Sequence, residues 1–108
     1  MAVLSANTNP KLQEERKTAE NAKALVDTLT PSTARNDRTI FVLRYAANLA
    51  RTGTLTSLAS RRALDDARME AATSLNAICR LLERGRLTQD AIDQAASGIA
   101  AWLEALPS

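Results

Sequence analysis

The sequence predicts an all-α fold: a small helical bundle of about four helices, with the second helix central. Three observations carry this expectation. Only three glycines and three prolines occur in 108 residues, so the chain has little turn material. The aromatics are Phe41, Tyr45 and Trp102, so the core must be built from Leu, Ile, Val and Ala, of which Ala and Leu are strong helix formers. Apolar residues also recur at spacings of three and four, the period of one helix face.

Residues 1–8 show no periodicity and read as a disordered arm ahead of a single domain over residues 9–108. Asn9-Pro10 has the form of an N-cap followed by proline at the first helical position. Leu12, Ala19, Ala22, Val26 and Leu29 then make one stripe, with a mostly polar first half that is expected to fray. Thr30-Pro31 interrupts the pattern, because the residue before proline is pushed out of the α region. A second helix starts there or at Asn36, with Asp37 favourable in its first turn, and is expected to end at Gly53. Ile40, Phe41, Val42, Leu43, Tyr45, Ala46, Ala47, Leu49 and Ala50 cover most of its circumference. Asp37, Arg44, Asn48 and Arg51 leave a narrow polar stripe, which suggests a helix surrounded by partners.

The third helix, capped by Thr54 or Thr56, carries Leu64, Ala67, Ala71, Leu75, Ile78 and Leu82 inward and should stop at Gly85. Leu87-Thr88 opens the fourth. Thr88 is a good N-cap, and Leu87 and Ile92 have the spacing of a hydrophobic staple. Its inward face is Ile92, Ala95, Ala96, Ile99, Trp102, Leu103 and Leu106, and Pro107 ends it. The indole N–H of Trp102 is expected near the surface.

Composition excludes several kinds of chemistry. There is no histidine, so the commonest general base and metal ligand is missing. The one cysteine, Cys79, forms no internal disulfide and makes a structural zinc site implausible; it reads as a core residue at the edge of the third helix's apolar face. Gly53, Gly85 and Gly98 match neither a phosphate loop nor a dinucleotide fingerprint. Asp65, Asp66 and Glu70 are interleaved with Arg61, Arg62 and Arg68 and read as a salt-bridged surface. No catalytic residue, metal or cofactor is expected. No apolar run reaches the ~20 residues of a membrane span and no signal peptide is read, so a cytoplasmic location is the default expectation. Eleven arginines against three lysines, with abundant alanine, suggest a GC-rich bacterial or phage gene.

The net charge of +2 hides an asymmetry. Residues 30–62 hold Arg35, Arg38, Arg44, Arg51, Arg61 and Arg62 against Asp37 alone, whereas residues 88–108 hold Asp90, Asp93 and Glu104 with no base. Arginine presents a fork of donors matched to phosphate and carboxylate. Arg35, Arg38, Arg44, Asn48, Arg51, Arg61 and Arg62 are therefore candidates for holding an anion or an acidic partner. The competing reading pairs these arginines with the acidic last helix. A glycine turn before Ser60-Arg61-Arg62 has the vocabulary of a DNA-reading helix pair. However, Arg62 falls where that motif needs an apolar residue, and Asp65 and Asp66 would repel phosphates.

The apolar arc of the second helix exceeds what a domain of this size must bury. Phe41, Val42 and Tyr45 are thus candidates for an apolar interface. The expected function is a non-enzymatic protein–protein interaction module that binds another protein or itself: an adaptor, an assembly subunit or a small inhibitor. Anion, nucleotide or nucleic-acid binding through residues 35–62 is the alternative.

Overall fold

A computed structural model describes residues 10–56 and 62–106, with side chains at 10–53 and 62–106. Four helices follow in order: α1 (Pro10–Asp27), α2 (Asp37–Thr56), α3 (Arg62–Glu83) and α4 (Gln89–Ala105). The expected N-terminal arm, Asn9 and Pro107 lie outside the described residues.

Helix ends follow local chemistry. Asn36 Oδ1 accepts from the Thr39 N–H at 3.0 Å, which caps α2 one residue before Asp37. Thr88 Oγ1 accepts from the Ala91 N–H at 3.1 Å, and Leu87 and Ile92 are both buried beside that cap as a staple requires. At the end of α3, the Arg86 N–H reaches Leu81 O at 2.9 Å and the Gly85 N–H reaches Leu82 O at 3.2 Å. That double closure needs a left-handed residue, and Gly85 supplies it at φ 66°. Leu106 sits at ψ 141°, the extended backbone that a following proline imposes.

One expected boundary is wrong. Gly53 does not end α2, which continues to Thr56. Its lack of a side chain serves packing instead: a Cβ there would lie 3.0 Å from Arg68 Nε. The third helix accordingly starts later than expected, at Arg62, and residues 57–61 lie outside the described set.

The helices form a square. α1 packs on α2 and α4, and α3 packs on α2 and α4, while the diagonal pairs keep their backbones apart. The beginnings of α1 and α3 meet the ends of α2 and α4, because Glu15, Arg68, Gly53 and Trp102 gather at one end. At the other end, Cys79 late in α3 donates to the carbonyl of Ile40 early in α2. The order is therefore up-down-up-down, as short connections favour. α2 shares its most extensive interface with α3. It is nevertheless a corner of the square, and part of its apolar arc faces outward. The core is Leu43, Leu75, Ile78, Leu82, Ile99, Val26 and Trp102, mortared by alanines. Burying each large side chain contributes roughly 1.5–3 kcal/mol.

Candidate functional site

The arginine-rich segment does not converge on a single cradle. Arg44 leans toward α3, where Nη1 and Nη2 donate to the two carboxylate oxygens of Glu83 at 2.9 and 3.0 Å. Those bonds hold Glu83 below the ordinary carboxylate range and raise Arg44 further. Arg35 donates to Asp37 at 3.0 Å. Arg38, Asn48, Arg51 and Arg62 are exposed, and Arg61 lies outside the described residues. The acid that takes Arg44 comes from α3, not from the acidic last helix. On α4, Asp90, Asp93 and Glu104 stay exposed, and Asp93 accepts from Gln89 at 2.8 Å.

The candidate apolar interface is placed differently. Phe41 is 70% exposed and Tyr45 45% exposed, on successive turns of α2, with Val42 half-buried beside them. Four of the positions Ile40, Leu43, Ala46, Ala47 and Ala50 are fully buried and Ile40 nearly so, so the inward demand of α2 is met without Phe41 or Tyr45. The Tyr45 hydroxyl donates to Glu14 of α1 at 3.2 Å, which raises the phenol's pKa. Arg38, Phe41, Tyr45, Asn48 and Thr52 follow at three- and four-residue steps and are all exposed, so they form one outward stripe.

A buried charge network was missed by the sequence reading. Glu15 of α1 and Arg68 of α3 are each 6% exposed. Arg68 Nε and Nη2 donate to Glu15 Oε2 and Oε1 at 2.7 and 2.8 Å, and Nη1 donates to Asp65 at 3.1 Å. The Trp102 indole N–H donates to Glu15 Oε2 at 2.7 Å. Trp102 is fully buried, so its N–H does not reach the surface as expected; it is satisfied inside. The network ties Glu15, in the polar first half of α1, to α3 and α4. Burial by itself would lower the Arg68 pKa, but the bonds to Glu15 and Asp65 outweigh it and raise it. With Glu15, Arg68 and Trp102 buried and bonded to one another, the network is suited to positioning helices rather than to reacting.

Cys79 is fully buried, and its thiol donates to Ile40 O at 3.7 Å. Burial pushes its pKa up to about 11, which suppresses the nucleophilic thiolate. Among the described residues no group of acidic, histidine or cysteine side chains is arranged to hold a metal ion, and no helix is long and apolar enough to cross a membrane. One shallow groove lies between α3 and α4, lined by Met69, Glu70, Thr73, Ser74, Gln94 and Ser97.

Fold and surface together define a four-helix bundle with a basic, aromatic outer face on one corner. No protein-family model matches the chain, and no curated protein or solved structure matches it significantly.

Proposed function

We propose that the protein is a non-enzymatic interaction module that docks through the outward face of α2, and that its partner includes itself. The reading rests on Phe41, which is 70% exposed on a helix whose core-facing positions are already filled. An aromatic pair with arginines at its margins has the composition of an interface anchor, where Trp, Tyr and Arg dominate binding energy. It fits an adaptor or assembly subunit better than an enzyme, since the polar groups that lie buried are engaged with one another.

Anion or nucleic-acid binding is supported by the exposed Arg38, Arg51 and Arg62. It is weakened by the engagement of Arg44 and Arg35 with carboxylates. One experiment weighs both readings. Light scattering on the full chain across micromolar concentrations should show a mass that rises above the 11.6 kDa monomer. Labelled DNA, RNA and nucleotides titrated at low salt should give no saturable signal. A strict monomer that binds nucleic acid with a steep salt dependence would reverse the ranking.

A further inference from the structure

The outward face of α2 has a complementary surface elsewhere on the same molecule. Among the described residues, the large apolar side chains most exposed to solvent are Phe41 and Tyr45 on α2 and Met69 on α3. Met69 lines the groove between α3 and α4, and the other lining residues include Thr73, Ser74 and Ser97, all short. The groove is thus open to a bulky insert, with Met69 as its apolar contact among the polar Glu70, Thr73, Ser74, Gln94 and Ser97. Acidic residues predominate around it, alongside the exposed Arg62 and Arg80 of α3. Glu70 lines it directly, Asp66 lies one turn before Glu70 on the exposed side of α3, and α4 presents Asp90, Asp93 and Glu104. The α2 stripe has Arg38 near its start, with Arg51 to one side of its end and Glu14 of α1 beside Tyr45.

The dimensions also agree. Arg38 and Arg51 are thirteen residues apart and Asp90 and Glu104 fourteen, so at ~1.5 Å per residue both charged spans are about 20 Å long. On α4, Asp90, Asp93, Ser97, Ala100 and Glu104 are all exposed and fall at three- and four-residue steps. This makes an outward stripe whose middle is small and whose ends are acidic. On α2 the middle is large, with Arg38 and Arg51 toward its two ends.

We infer that a second copy of this chain seats Phe41 and Tyr45 of its α2 in the α3–α4 groove, with Arg38 and Arg51 against the acidic residues of α3 and α4. This rests on the interaction-module reading and names its partner. The α3–α4 edge is the side of the square opposite α1–α2, so the two matching surfaces point in different directions. A two-fold contact that pairs one patch with itself cannot satisfy them. The contact is heterologous: in a pair, the copy that inserts its α2 face keeps its groove free, and the copy that receives it keeps its α2 face free. Assembly therefore grows with concentration into chains or a closed ring rather than stopping at a dimer.

Two exposed substitutions test this, each blocking one surface: Phe41→Glu on α2 and Ser97→Arg in the groove. Circular dichroism confirms that each variant keeps the helical fold, and analytical ultracentrifugation reads mass. Wild type should self-associate with a growing mass, and each variant alone should associate roughly tenfold or more weakly. An equimolar mixture should form a heterodimer and nothing larger, because one α2 face and one groove remain intact. Raised salt should weaken that heterodimer. If Ser97→Arg associates as wild type does, or if the mixture stays monomeric, the α2-to-groove contact is overturned while self-association through α2 stands. A wild type that is monomeric at every concentration overturns both.

Discussion

Arg68–Glu15 and Arg44–Glu83 are the same chemical pair set toward opposite ends of α3, and their surroundings make them energetically different. Arg68 and Glu15 have side chains 8% and 7% exposed, and they span the diagonal of the square between helices whose backbones do not touch. Arg44 and Glu83 are 44% and 30% exposed and join neighbours. Both carboxylates accept two parallel bonds from their guanidinium. Taking two charges out of water is expensive and is recovered only if every bond is made. At the buried site the Trp102 N–H and Asp65 complete the set, and no buried side-chain nitrogen or oxygen among the described residues lacks a partner. The exposed pair loses little water and gains little. Geometry alone therefore does not rank the two pairs; burial does.

Breaking the buried pair should give the largest effect. Arg68→Ala leaves Glu15 buried with only the indole N–H, and the loss expected is about 3–5 kcal/mol in urea denaturation. The variant Glu15→Met/Arg68→Met removes both charges and fills the space. It should recover most of that loss, short of the ~1–3 kcal/mol for an unpaired indole N–H. If the double variant is as unstable as Arg68→Ala, the pair is itself a net source of stability. If Arg68→Ala costs under about 1 kcal/mol, the buried site behaves like the exposed one and the contrast collapses.

The contribution of Trp102 to the buried site is smaller. A double-mutant cycle of Trp102→Phe with Glu15→Met, which removes the acceptor, separates the lost bond from the lost ring volume. A coupling of about 1–3 kcal/mol is expected. Additive losses would reduce Trp102 to a space-filling role.

The two pairs also differ in how far they could be read from sequence. Along α1, Leu12 and Ala19 are seven apart, and Glu15 occupies the register position between them. Along α3, Arg68 stands four after Leu64 and three before Ala71. Two opposite charges, each in an apolar register, are the signal that was available. It was passed over because Arg68 has acidic neighbours in sequence that explain it locally. Gly53 misled for a related reason: within one helix it looks like a stop, and only Arg68 from another helix explains it. Arg44–Glu83 was not legible, since periodicity gives the faces of a helix but not which face meets which. The four elements, the Thr88 cap and the Gly85 stop were legible because they depend on neighbours in sequence. The exposure of Phe41 and Tyr45 was partly legible, from an apolar arc wider than two neighbouring helices can cover.

The exposed pair should give the smallest effect at neutral pH and reveal itself in acid. Arg44's hydrogen bonds hold Glu83 below its ordinary value of 4.5 in the folded chain. A carboxyl depressed on folding stabilises above its unfolded pKa, and that contribution disappears as pH falls through the ordinary value toward the folded one. Urea midpoints of Glu83→Gln and wild type should therefore differ most near pH 7 and converge below the ordinary carboxylate range. High salt should shrink the difference at neutral pH, because the pair is open to solvent. The corresponding comparison for Arg68→Ala should keep its gap in high salt, since counter-ions do not reach a closed site. An Arg44→Met loss as large as that of Arg68→Ala, or one insensitive to salt, would mean that burial is not what separates the two pairs.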